Sequence, residues 1–395
     1  MRPLASLAGQ ADTGRVCTGH IGMKIRWNYR LIALLIILGV LGIREVAMEL
    51  RPSFLRPGMH LMAYVSNTAD GTLTAIDLVK LLPVATIKVG PEPTGIRADP
   101  SRKEIWGLSA AGGFAWVLDV TTNRVVAHIP VGAAPYALDF SPNHSRAYVA
   151  ASGSNAVVEI NCVTRQVVAR GRAGRRPWIA RLSPNGKVLV VSNRADSTVS
   201  LLDPVTLASR GVIRVAPDPE QIAILPDSSK AFVTSGTTDQ ISVVDLKRKV
   251  LLSNIQIGGT PNALILKPDG GELYIPSTTA HGLLVLDTQT NEVGDFMLLG
   301  SSPVYGTLTP DGSVLYVSDP GTGHVIPVAI NNRQAAHPIS VGQGPHVCEL
   351  TPGGDMLLVV DSVSDDLAVI RAETSSLITL IPTGSHPRDL AIEAF

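Results

Sequence analysis

Residues 299–319 read LGSSPVYGTLTPDGSVLYVSD, and the punctuation of this stretch decides the fold. Gly300 precedes Pro303 by three residues, and an apolar-alternating segment follows. Thr309-Pro310-Asp311-Gly312 then makes a turn before a second apolar run, Leu315-Tyr316-Val317. Proline pre-sets φ at the second position of such a turn, and the Asp-Gly pair closes it. Short runs of Val, Leu, Tyr and Thr between turns of this kind are β-strands.

The pattern recurs every 42 residues in both directions. The position of Tyr316 is held in turn by Tyr64, Trp106, Tyr148, Val190, Phe232, Tyr274, Tyr316 and Leu358, all apolar. Prolines stand at 93, 135, 177, 219, 261, 303, 345 and 387, and a second series runs from Pro100 to Pro352. Glycine precedes the first proline by three residues except at Ala216, and no insertion breaks the register. Each unit reads as four strands; in the second these are 94–98, 104–109, 115–119 and 125–131. Asp77, Asp119, Asn161, Asp203, Asp245 and Asp287 close another turn, where a short polar side chain bonds the backbone two residues on.

A four-stranded unit of about 40 residues, stacked radially, is a β-propeller blade, so the expectation is an all-β, eight-bladed propeller. The repeats begin at a second strand and end with a lone first strand, 388–393. That last strand is expected to complete the first blade and close the ring, removing open edges. A seven-bladed ring with a stray repeat is the competing count.

Residues 1–60 read differently. Leu31 to Ile43 is an unbroken apolar run, preceded by Lys24, Arg26 and Arg30. Its thirteen residues fall short of the roughly 20 a spanning helix needs and match the roughly 7 to 15 of an export-signal core. Met23 is then the expected physiological start. No good cleavage site follows, so an uncleaved anchor and a cleaved signal both stay open, as does a buried helix. No lipobox cysteine follows the run. Residues 1–60 carry a net charge of +5 and the remainder −5, with the positive excess beside the apolar run. The expected division is 1–60 as export signal or membrane anchor plus linker, and 61–395 as the propeller, a monomer outside the cytoplasm.

Composition narrows the function classes. Apolar residues make up 45% and charged ones 17%, which excludes a disordered chain. A formal net charge of zero leaves no electrostatic footprint for nucleic acid. Three cysteines are too few for a disulfide scaffold. No Gly-x-Ser-x-Gly elbow, phosphate-binding loop or dinucleotide fingerprint appears in the repeats.

The strings Tyr64-Val-Ser-Asn67, Tyr316-Val-Ser-Asp319, Val131-Gly-x-x-Pro135 and Thr309-Pro-Asp-Gly312 resemble the YVTN-type β-propeller repeat family over residues 61–395. That resemblance implies the fold. The family spans surface-layer proteins, exported proteins of unknown role and propellers related to haem and lactone enzymes, so it implies no single activity. The Gly-His/Trp-Asp signature of intracellular scaffolds is missing.

In repeat folds function collects where units depart from their consensus. The residue after each proline, at the channel mouth, is Thr94, Tyr136, Trp178, Glu220, Asn262, Val304, His346 or Arg388; before the proline stand Glu92, Arg176, Asp218 and His386. The expected site is a mouth pocket of Arg176, Trp178, Glu220, His346, His386 and Arg388 for a small anionic or aromatic ligand, or for an envelope protein. Solvated loop decoration is the bland reading of the same residues. No catalytic residue and no metal ligand is assigned. Deeper, Arg97, Asp139 and Arg181 occupy inner strands of successive blades and are expected to pair. A propeller enzyme of the lactonase or haem/metal redox kind is the alternative, drawing on the channel-mouth histidines His346 and His386; His281 and His324 belong to second-to-third strand loops of the same face, farther from the axis, and no cofactor is evident.

Overall fold

The computed structural model describes residues 60–395. The apolar run at 31–43, and with it the export or anchoring expectation, lies outside the described residues. Among the described residues no helix is long and apolar enough to cross a membrane.

The repeats form eight antiparallel sheets in a ring. Counting outward from the axis, blade 1 consists of Pro387–Ala394, Leu61–Asn67, Thr72–Asp77 and Leu82–Lys88. Blades 2 to 8 follow in chain order, with innermost strands Pro93–Asp99, Pro135–Phe140, Pro177–Leu182, Pro219–Ile224, Ile265–Leu266, Tyr305–Leu308 and Pro345–Leu350. The closing strand is where the repeat phase placed it. Leu61 to Asn67 pairs with Ala394 to Pro387, and His60 and Phe395 exchange backbone hydrogen bonds at 2.8 and 2.9 Å beyond the ladder's end.

The core lies between blades. Tyr64, Leu73 and Ala75 of blade 1 pack with Ile96, Ile105, Trp116 and Leu118 of blade 2, and equivalent clusters fill the other gaps. Polar staples reinforce several of these gaps at fixed offsets. The hydroxyl of Tyr148 donates to the Pro204 carbonyl at 2.9 Å, and that of Tyr316 to the Ala372 carbonyl at 2.8 Å, each 56 residues on. Arg165 pairs with Glu104, Arg333 with Glu272, and Lys230 donates to Asn291 at 2.9 Å, each 61 residues apart. All six Asx turns form, with backbone N–H to side-chain oxygen distances of 2.8–2.9 Å.

The recurrent glycine has a local cause. At Gly384 the backbone N–H donates to Asn67 Oδ1 at 3.1 Å, and a Cβ there would meet the same amide nitrogen at 2.6 Å. Only glycine brings that loop close enough to tie one blade's outer strand to the next blade's second strand. Two blades depart from regularity. The inner strand of blade 6 shrinks to Ile265–Leu266 plus an isolated bridge, because Pro276 on its partner has no N–H to donate. The outer strand of blade 7 splits into Gln334–Ala335 and Ile339–Ser340 around Pro338.

Candidate functional site

One face of the ring is built by loops entering the innermost strands and by loops joining second to third strands. Their contact is direct: Thr68 N–H donates to the His386 carbonyl at 3.0 Å, and Ala110 N–H to the Glu92 carbonyl at 3.0 Å. Inside this rim the inner strands surround a cavity of ≈ 790 Å³ that reaches from Thr94, Asn262 and Arg388 at the mouth to Pro184, Pro268 and Pro310 near the far end.

The six expected mouth residues separate into three groups. Arg388 and His346 line the cavity, on neighbouring blades 1 and 8. Packing around His346 and the Arg388 charge hold its imidazole below the ordinary value, so it is neutral at pH 7. Trp178 and Glu220 join a rim cluster instead. The Trp178 ring stacks on Tyr136 with centroids 3.4 Å apart, and the Arg194 guanidinium lies 4.4 Å from the Trp178 centroid. Arg194 grips both oxygens of Asp218 at 2.6 Å and reaches Glu220 at 2.9 Å. That grip keeps the Asp218 carboxyl below its ordinary pKa, whereas burial raises Glu220 against the same guanidinium.

Arg176 and His386 form the third group. Both sit in left-handed conformation, φ 53°, just before their prolines. The N–H of Arg176 donates to Asn155 at 2.9 Å and that of His386 to Asp365 at 2.8 Å, so both backbones serve the loop and neither side chain lines the cavity.

Deeper in the cavity, Arg181 pairs with Asp139 at 3.6 Å, as its neighbouring position suggests. Arg97 turns the other way and stands 4.0 Å from Asp389. Asp389 lies two residues after its proline, where the other blades carry Gly95, Ala137, Ile179, Gln221, Ala263, Tyr305 and Val347. Arg194 likewise is the one charged residue at a position held elsewhere by Thr68, Ala110, Ser152, Gly236, Thr278, Pro320 and Ser362. A column-by-column scan for the odd charge would have found both; looking only at residues flanking the proline did not. The four histidines do not converge: His281 Nδ1 is 2.5 Å from the Ser301 carbonyl, and His324 begins a strand beside Asp319. Among the described residues no three His, Cys, Asp or Glu side chains gather as a metal centre.

Comparison with known proteins agrees with the propeller fold. No curated protein matches the sequence. Among solved structures the chain is similar to the dihydro-heme d1 dehydrogenase NirN in complex with DHE, at 16% identity and TM-score 0.71, over 83% of this chain and 74% of that one. It is also similar to apo AztD from Citrobacter koseri, at 12% identity and TM-score 0.65, over 85% and 98%. For Kuenenia stuttgartiensis hydrazine synthase the values are 18%, 0.55, 64% and 87%. At such identities these likenesses concern the fold alone. The YNCE-like beta-propeller family model matches residues 137–387, well over half the sequence. This chain is a member of the YNCE-like β-propeller family.

Proposed function

We propose that the protein is an exported binding module that takes a small anionic or aromatic ligand at the mouth of its central channel. The observation that carries this reading is that Tyr136, backed by the Trp178 ring stacked on it, lines a ≈ 790 Å³ cavity together with Arg388 and His346. Burial raises the Tyr136 hydroxyl's pKa and the facing Arg388 guanidinium opposes it, so aromatic platform and cation act on one spot. Arg194 is already spent on Asp218 and Glu220, leaving Arg388 as the rim's guanidinium for an incoming acid. Export rests on the basic residues Lys24, Arg26 and Arg30 ahead of the apolar run at 31–43, with release or tethering as its two outcomes.

The test uses indole-3-acetate as probe, which offers one ring and one carboxylate. Calorimetric titration is expected to show binding that weakens at least about tenfold in Arg388→Ala, the worth of one charge-assisted hydrogen bond. The melting temperature is expected to stay within about 2 °C, because Arg388 is exposed at the rim. Equal affinity in the variant would remove the mouth as the binding site.

A further inference from the structure

The cavity has two unlike walls. Blades 5, 6 and 7 present Ile222, Ile224, Leu264, Ile265 and Val304, whereas blades 1 to 4 present Arg388, Asp389, Arg97, Asp139 and Arg181. The guanidiniums on the charged wall are incompletely used. Arg181 approaches Asp139 only to 3.6 Å, and its Nε is a buried donor with no hydrogen-bond partner. Arg97 is 4.0 Å from Asp389, and its hydrogen bond goes to the Ile96 carbonyl at 2.7 Å. Asp389 for its part accepts from the backbone N–H groups of Ile96 and Leu390 at 3.1 and 3.0 Å. Asp139 likewise accepts from the Leu182 N–H at 3.3 Å. Within the large chamber three guanidiniums therefore face two carboxylates that are already partly satisfied, opposite a wall without charge, and a third carboxylate, Glu349, stands behind Arg97.

Beyond Arg97 a smaller cavity of ≈ 170 Å³ is lined by the same Arg97, by Glu349 of blade 8 and by Ile96, Leu390 and Ile392. The groups that face Glu349 are Arg97 of blade 2, Asp389 of blade 1, Tyr305 of blade 7 and Cys348 on its own strand. Arg97 thus stands between the large chamber and a carboxyl that has only its charge for support.

We propose that the large chamber binds an amphipathic organic acid, its apolar body against blades 5 to 7 and its acid group on Arg97 and Arg181, and that this binding drives a proton onto Glu349. The inference deepens the mouth reading, which supplies the way in. The physical link is Arg97: an acid that occupies its guanidinium weakens the field that keeps Glu349 ionised. Burial already pushes Glu349 up to about 7, with Arg97 opposing. Losing that opposition raises it further, so a proton is taken up, most strongly between about pH 7 and 8, where the free protein holds Glu349 partly ionised.

The experiment titrates the full-length chain with decanoate, decylamine and acetate, each in two buffers of different ionisation enthalpy at pH 7.5. Decanoate is expected to bind with uptake of a fraction of a proton per ligand, acetate more weakly, and decylamine least. Arg97→Gln is expected to weaken decanoate about tenfold or more, and Leu264→Ser to weaken decanoate but not acetate. Glu349→Gln is expected to keep decanoate binding and abolish the proton uptake, a readout that a merely structural role would not move. Decylamine binding as tightly as decanoate, or decanoate binding indifferent to Arg97→Gln, overturns the proposal. Decanoate binding without proton uptake overturns its Glu349 part. If indole-3-acetate still depends on Arg388 while decanoate ignores Arg97, the mouth reading stands and the chamber reading falls; if indole-3-acetate ignores Arg388 while decanoate depends on Arg97, the reverse holds.

Discussion

A chain ending at residue 386 is expected to lose cooperative folding. The missing strand, Pro387–Ala394, is the inner strand of blade 1, and its hydrogen-bonding partner, Leu61–Asn67, comes from the opposite end of the repeats. Leu390 is 1% exposed in the cluster between blades 1 and 8, and Ala391 is 3% exposed in the cluster between blades 1 and 2. Replacing Leu390 by alanine alone costs about 2–5 kcal/mol, a large part of the ~5–15 kcal/mol net stability of an ordinary domain. Truncation removes that contact together with the whole ladder to Leu61–Asn67 and leaves an unpaired edge beside the axis, which invites aggregation. Circular dichroism melts and size-exclusion chromatography are the measurements. A second chain, with 384–395 moved ahead of His60 through a two-residue type I′ turn, is expected to restore folding, because Phe395 and His60 already face each other as a hydrogen-bonded pair. A truncated chain that melts like the intact one would show that the ring does not depend on its seam.

Asp361→Asn is expected to stabilise the protein, and increasingly so as pH rises. Asp361 ends the second strand of blade 8, is fully buried, and pairs in register with Asp366. One oxygen accepts from Gly342 N–H at 2.9 Å, but Oδ1 of each aspartate is buried without a partner. Blades 1 and 4 solve the same position with asparagine: Asn67 donates to Thr72 and Thr74 at 2.9 Å, and Asn193 to Thr198 and Ser200 at 3.1 and 2.9 Å. In blade 8 burial, reinforced by the Asp366 charge, pushes Asp361 up to about 9. An unfolded aspartate loses its proton near pH 4, so between about pH 4 and 9 the folded chain holds one proton more and loses stability as pH rises. Asparagine carries no such proton and gives Asp366 a donor. The expected gain is about 1–3 kcal/mol at pH 8, falling toward zero at pH 4. Urea unfolding at the two pH values measures it; a gain equal at both, or none at pH 8, would refute the account in which buried Asp361 keeps its proton.

Much of the molecule was legible as periodicity. A 42-residue interval with proline and glycine in fixed phase specifies strands and turns, and the phase at which the units begin and end points to a seam closed by the C-terminal strand; the expected eight blades, against a competing seven, are the eight sheets of the ring. The Asx turns were legible for the same reason, since their bonds reach only two or three residues. The site was legible only in part. Reading the residues beside each proline found Arg388 and His346, which do line the cavity, and Trp178 and Glu220, which do lie on the rim. It also gathered Arg176 and His386, whose side chains lie off the cavity.

The sequence alone determined the repeat, its phase and the four-stranded unit, because that information is local and repeats; the ring of eight sheets decided between the eight-bladed and seven-bladed counts. Which side chains meet was decided by tertiary structure. Arg97 chose Asp389 over Asp139, and Arg194 reached from a neighbouring loop to Asp218 and Glu220, because long side chains bridge blades by angle and reach, which a linear period does not encode. The division of the bore into an apolar wall and a charged one arises the same way: residues 42 apart in the chain stand on adjacent blades, and those of blades 5 to 7 come to face those of blades 1 to 4 only once the ring has closed.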